Sequence, residues 1–223
     1  LFQRINANPD DPDRWVAVLN LTITEDRAYW NKYHELSHRL AEPPQKILPF
    51  RRETTDNRDV VEKLIDTIAG EVAFHPHLFS PYMATLKTAP ATFEAVSAVR
   101  NAYSPSASLL AVTNAIVQRM ERPALAFVAS MKAKRNGPQN KMDLRVEPQC
   151  RNALAQANDL FLIPNMRVPR SSCAYHTFLS GCPMTSLEST KDWTTTSGKA
   201  IPQHYVTVSA IKLGDRIYGM MTI

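Results

Sequence analysis

The sequence predicts an α+β protein, helical in its first part and strand-rich after about residue 140. Three observations predict this. Apolar residues recur at three- and four-residue steps through residues 26–40 and again through 59–74, the spacing of a helix face. Short runs of β-branched and aromatic residues follow residue 141, punctuated by turn-forming residues. Two of those runs, 204–212 and 216–223, are joined by Leu213-Gly214-Asp215, a hairpin signal.

Taken in order, residues 1–13 are polar and rich in Asp and Pro, unlike a signal peptide. Arg14 to Ile23 (RWVAVLNLTI) alternates enough to form a strand. The first helix is DRAYWNKYHELSHRL, with Tyr29, Trp30, Tyr33, Leu36 and Leu40 on its apolar side, Thr24 as N-cap, and Pro43-Pro44 as its end. A charged linker, Arg51 to Arg58, leads to the second helix, DVVEKLIDTIAGEVAF. Its expected buried side is Val61, Leu64, Ile65, Ile68, Ala69 and Val72. Further helices are predicted over 81–86, 91–102 and 106–120, the last capped by Ser104 or Ser106. ALAFVASM, residues 124–131, reads as a strand. Beyond 141 a short helix is expected over 151–158, strands over 160–163, 174–179, 204–212 and 216–223, and a Ser- and Thr-rich loop over 181–202. The change of character places a domain boundary there, giving residues 1–140 and 141–223.

One stretch of the first helix carries chemistry: His34-Glu35-Leu36-Ser37-His38. On a helix, positions i and i+4 share a face, so two imidazoles can reach one zinc ion. Glu35, beside the first of them, can take a proton from a zinc-activated water. In the second helix Glu62 and Asp66 also stand four apart, next to the buried side. Glu71 is nine residues beyond Glu62 and projects from nearly the opposite face, which makes Glu62 the better third ligand.

An E-x-x-x-D helix following H-E-x-x-H resembles the gluzincins, in which the Glu binds the metal and the Asp accepts the spare N–H of a ligand His. The wider pattern is similar to the ImmA/IrrE-type metallopeptidases, which typically cut repressors of the helix-turn-helix class. Their F-T-x-A-H-E-x-G-H corresponds to Trp30-Asn31-Lys32-Tyr33-His34-Glu35-Leu36-Ser37-His38. Their E-x-x-A-N-x-F-A corresponds to Glu62-Lys63-Leu64-Ile65-Asp66-Thr67-Ile68-Ala69, and a weaker similarity continues through Tyr103-Ser104-Pro105-Ser106 and LLAVTNAIVQRM. Tyr33 stands where a small residue is usual, Ser37 where Gly is usual, and Asp66 where Asn is usual. The resemblance implies a zincin-like minimal metallopeptidase core: edge strand, H-E-x-x-H helix, Glu-bearing helix and helical extension. It implies His34, His38 and Glu62 as metal ligands, Glu35 as catalytic base and Asp66 as orienter of a ligand His. It also implies a strand at the cleft edge able to pair with an extended substrate. The C-terminal β-rich part would then be a sensor-like module, as some members carry, or the completion of one protein body.

Other residues have weaker claims. His75 and His77 flank Pro76 just past the second helix, and they, Tyr33 and Tyr82 are candidate donors to a tetrahedral oxyanion, although exposed loop histidines read the same way. Cys173, His176 and Cys182 form C-x2-H-x5-C, only half of a four-ligand zinc site even if distant Cys150 is added. Three Cys without C-x-x-C fit reduced thiols in the cytoplasm. The net charge of +5 permits nucleic-acid contact without requiring it. Basic clusters at Arg51-Arg52 and Lys132 to Arg135 lie in expected solvated loops. The longest apolar runs fall far short of a membrane span.

The function expected is therefore zinc-dependent hydrolysis of a peptide bond, with a repressor-type regulatory protein as substrate and roles in transcription regulation and stress response. Manganese is an alternative metal, since a two-His, one-carboxylate set suits several divalent ions. The competing expectation is an inactive zincin-like regulator that binds DNA or a protein partner. A phage-related or toxin–antitoxin role would share the enzyme's chemistry.

Overall fold

The computed structural model describes residues 2–4, 15–17, 24–41, 60–88, 91–133, 142–194 and 201–223. The fold is mixed α+β, with seven helices and a five-stranded antiparallel sheet among those residues. It divides into two compact units, residues 1–81 with 104–108, and residues 82–103 with 109–223. The division falls inside helix α3 (Pro76–Thr88), after Pro81, whose ring nitrogen has no hydrogen to give the helix ladder.

In the first unit β1 (Phe2–Arg4) pairs antiparallel with β2 (Trp15–Ala17). The rest of the expected strand, 18–23, lies outside the described residues, as do Pro43-Pro44 and the Arg51 to Arg58 linker. Helix α1 (Glu25–Ala41) opens with Glu25 and Asp26 in its first turn, where the helix dipole favours anions. The Thr24 carbonyl accepts its first bond from Ala28 N–H at 2.9 Å, as an N-cap residue does. Helix α2 (Val60–Ala73) buries Ile65, Ala69 and Ala73 at four-residue steps. Leu64, expected inside, is 56% exposed. It lies one position, about 100° of helix rotation, from Ile65, which takes the inward place. Phe74 continues this core, edge-on to Phe79 with ring centroids 5.3 Å apart. Tyr29 reaches from α1 to donate its hydroxyl to the Ala73 carbonyl at 3.3 Å.

The second unit is organised on a sheet of order β4-β3-β7-β6-β5. Its strands are β3 (Ala124–Ala133), β4 (Met142–Arg151), β5 (Met184–Ser189), β6 (Tyr205–Leu213) and β7 (Arg216–Thr222). β3 lies in the interior of the sheet, and six successive residues from Ala124 to Ala129 are buried, so both of its faces are covered. One face packs Phe127, Leu144, Val146, Val208 and Ile217 against Trp193, helix α6 (Ala153–Ala157) and helix α7 (Cys173–Ser180). The other takes helices α4 (Phe93–Tyr103) and α5 (Leu109–Arg119). Phe93 N–H donates to Ser209 Oγ on β6 at 3.0 Å, and the Cys150 thiol on β4 donates to Asn114 Oδ1 on α5 at 3.2 Å. Residues 165–168 run along the outer edge of β4, joined by Asn165 N–H to Val146 O and Val146 N–H to Met166 O, both 2.8 Å, and Val168 N–H to Leu144 O, 2.9 Å. The β6–β7 hairpin turns in two residues with Gly214 first, at φ 58°, the requirement of a type II′ turn.

Several expectations are corrected here. Residues 174–179 are helical in α7, because Ser172 caps it by accepting from Ala174 N–H and Gly181 ends it at φ 76°. Their aromatic and β-branched content suggested a strand, but caps at both ends decide for the helix. Residues 160–163 form no strand. Leu160 and Leu162 alternate into the core as an irregular segment crosses it, which mimics strand periodicity. α5 starts at Leu109, so neither Ser104 nor Ser106 stands at its N-cap position. The Ser- and Thr-rich stretch contains β5, an edge strand whose Thr185 bonds Ser209 at 2.9 Å. β3 and β4 pair from Leu125↔Arg151 to Ala133↔Met142, on either side of the position where the character of the sequence changes.

Candidate metal centre

Helix α1 breaks the ordinary rule of burial. Its fully buried residues are His34 and Ser37, while Tyr29, Trp30, Tyr33 and Leu36 are only half-buried and Leu40 is 60% exposed. Polar side chains are buried when they have partners, and a helix that turns them inward has a use for them. Ser37 donates to the Tyr33 carbonyl one turn earlier at 2.7 Å. Its burial went unnoticed in the sequence, where the only signal was a small residue between the two histidines.

His34, His38 and Glu62 converge. His34 Nε2 lies 3.2 Å from His38 Nε2 and 3.3 Å from Glu62 Oε2, and His38 Nε2 lies 3.6 Å from Glu62 Oε1. Four-coordinate zinc with bonds of about 2.0–2.2 Å sets its ligand atoms about 3.3–3.5 Å apart. The two nitrogens and the Glu62 carboxylate, whose two oxygens each face one imidazole, thus stand close to the spacing of ligands around one ion. Among the described residues no other group of three or more His, Cys, Asp or Glu side chains is gathered in this way.

The hydrogen bonding calls for a cation as well. His34 Nδ1 is 2.8 Å from Asp66 Oδ1. An ionised carboxylate only accepts, so Nδ1 carries the hydrogen of that contact, and Nε2 faces His38 and Glu62. Glu62 Oε2 is buried and accepts no hydrogen bond. A carboxylate oxygen removed from water without a donor is costly. A divalent metal held by the two imidazoles and this carboxylate removes that cost, so the residues present fit the ion.

The remaining sequence candidates are distributed as follows. Asp66 is at the second position of the His34 contact, with its side chain 48% exposed. Glu35 follows His34 on α1 and is half-buried. Glu71 is exposed on α2 and is not part of the gathered group. His75 and His77 are exposed at the start of α3, their ring centroids 5.4 Å apart, and the His75 carbonyl accepts the first N–H groups of that helix. Tyr33 packs on Tyr29, centroids 4.9 Å apart; Tyr82 belongs to the second unit, where it packs on Tyr103.

The alternative C-x2-H-x5-C site is not assembled. The Cys173 thiol is buried and donates to the Val208 carbonyl at 3.2 Å, and burial pushes its pKa up to about 12. Burial likewise raises Cys150 to about 11, and Cys182 is exposed. A zinc thiolate needs the opposite shift. All three cysteines are free thiols, as expected. Among the described residues no helix is long and apolar enough to cross a membrane. No family model matches the chain, and no curated protein matches it.

Proposed function

We propose that the chain is a zinc-dependent endopeptidase with a zincin-like core of the ImmA/IrrE type, acting in the cytoplasm on a repressor-type regulatory protein. The observation that carries this reading is the His34–His38–Glu62 triad with Asp66 behind His34. His34, His38 and Glu62 would hold a metal by three protein ligands, one fewer than a structural zinc site uses, as catalytic zinc sites do. A bound zinc or manganese ion supplies Lewis acidity, which acidifies water and polarises a peptide carbonyl. Asp66 holds the His34 tautomer and ring orientation. Glu35 accepts the proton of the attacking water and returns it to the leaving amine.

The test joins metal content with hydrolysis. Wild-type chain loaded with zinc cleaves a candidate helix-turn-helix repressor, and Glu35→Gln retains one zinc per chain while losing hydrolysis. Loss of zinc together with activity in Glu35→Gln would remove the proton-transfer role from Glu35.

A second reading has one observation in its favour. The second unit carries sixteen Lys and Arg against eight Asp and Glu, a basic surplus suited to an acidic partner such as nucleic acid. Salt-sensitive DNA binding unaffected by His34→Ala, with no hydrolysis by the zinc-loaded chain, would select the regulator over the enzyme.

A further inference from the structure

The second unit contains a cavity of about 610 Å³ at one end of the β3–β4 pair, within the range of small-molecule sites. Its walls include the apolar Leu125, Phe161 and Leu162. Two local departures from regular backbone shape it. Ala126 pairs with Cys150 but Phe127 pairs with Pro148, so Gln149 is the extra residue of a bulge. Bulges re-aim side chains, and this one brings Gln149 to the cavity, where its Nε2 donates to the Glu147 carbonyl at 3.1 Å. Asp159, also at the cavity, sits in the left-handed region at φ 52°, a conformation rare for a residue other than Gly. It is set there by the close of α6, where Leu160 N–H bonds the Ala155 carbonyl at 2.8 Å.

The backbone next to Arg151 is tied down by one side chain. Asn152 is buried, and its side chain makes four hydrogen bonds. Oδ1 accepts from Ala124 N–H at 3.2 Å and Ala155 N–H at 2.8 Å, while Nδ2 donates to the carbonyls of Met120 at 3.2 Å and Arg122 at 2.7 Å. That clamp ties the start of β3, the end of α5 and the start of α6 to one point, immediately beside Arg151. Arg151 and Asp159 both line the cavity and both are exposed, and among the described residues neither forms an ion pair with the other or with a third group.

One cavity thus offers an uncompensated cation, an uncompensated anion and an apolar wall. We infer that it binds a small zwitterion with an apolar body, an α-amino acid or a short peptide with free termini, its carboxylate on Arg151 and its ammonium on Asp159. The apolar side chain lies against Phe161 and Leu162, and Gln149 Oε1 accepts a remaining N–H. The neighbouring Cys150 thiol stays protonated and adds no competing charge.

Calorimetric titration of the full chain tests this with three probes: L-leucine, the dipeptide Leu-Leu, and N-acetyl-leucinamide, which has the same apolar body and no charged end. The expected result is saturable binding of leucine or dileucine and none of the blocked analogue; leucine alone identifies a free amino acid, and dileucine alone a peptide. Arg151→Gln and Asp159→Asn each weaken binding about 10-fold or more, the loss expected for a charge-assisted hydrogen bond. Asn tolerates positive φ, so the second variant keeps the backbone. Equal binding of the blocked analogue, or no saturable heat from any probe up to about 10 mM, overturns the inference.

Discussion

His34 Nδ1 lies 2.8 Å from Asp66 Oδ1, joining the H-E-x-x-H helix to the helix that carries Glu62. The same imidazole turns its other nitrogen to Glu62 and His38. A carboxylate behind a ligand histidine fixes its tautomer and raises its basicity. Asp66→Ala should therefore weaken zinc binding about 10–100-fold, as measured by competition against a chelator. Asp66→Asn, whose amide oxygen can accept the same N–H, should retain most of the affinity. Equal loss in both variants would mean that charge rather than orientation is the larger effect.

Zinc should also stabilise the fold. A ligand at a hundred times its Kd adds about 2.7 kcal/mol by mass action. Chelation should lower the thermal midpoint of the wild-type chain. His38→Ala and Glu62→Gln should melt at one temperature with or without zinc. A zinc-dependent midpoint in those variants would point to a different site.

The cysteines give a pH prediction. Burial raises Cys150 to about 11 and Cys173 to about 12 from an ordinary value of 9.0. The folded state therefore keeps two protons that the unfolded state releases above about pH 9. Their linkage contribution is intact below that pH and declines as pH rises through 9 towards 11–12. Urea unfolding midpoints should fall over that window, and Cys150→Ala with Cys173→Ala should flatten the fall. At pH 8 iodoacetamide should label the exposed Cys182 and spare the other two until urea unfolds the chain.

Gly219 faces Phe127 across the β3–β7 pair, and the aromatic ring occupies the space where a Cβ at Gly219 would stand. Gly219→Ala should destabilise the second unit by about 1–3 kcal/mol, the usual range for overpacking. Adding Phe127→Leu should recover part of that loss if the ring is the obstacle. A double-mutant cycle by urea denaturation measures the coupling.

Short-range pattern was a good guide wherever one element settled the matter. The runs of α1, α2, β3 and the β6–β7 hairpin were legible from periodicity and turn residues, because 3.6- and 2-residue repeats report which side chains share a face. The pattern misled where two local signals competed. At 173–180, side-chain types that favour strands outweighed Ser172 and Gly181 in the reading, and the caps prevailed in the fold. At 160–163, alternate burial was real but arose from an irregular crossing of the core. β4 was missed altogether, since Pro148 and its charged residues disguise a strand that tolerates a proline at a bulge.

By itself the sequence determined that His34 and His38 share one helix face with Glu35 beside them, and that Glu62 and Asp66 share another. Helical geometry requires this once each segment is helical. Only the tertiary structure decided that the two faces meet, with Glu62 against both imidazoles and Asp66 behind one. It also decided that the C-x2-H-x5-C residues stay apart and that Arg151 and Asp159 line one cavity. Such distances depend on which apolar surfaces pack across segments far apart in the chain, and no local repeat encodes that choice.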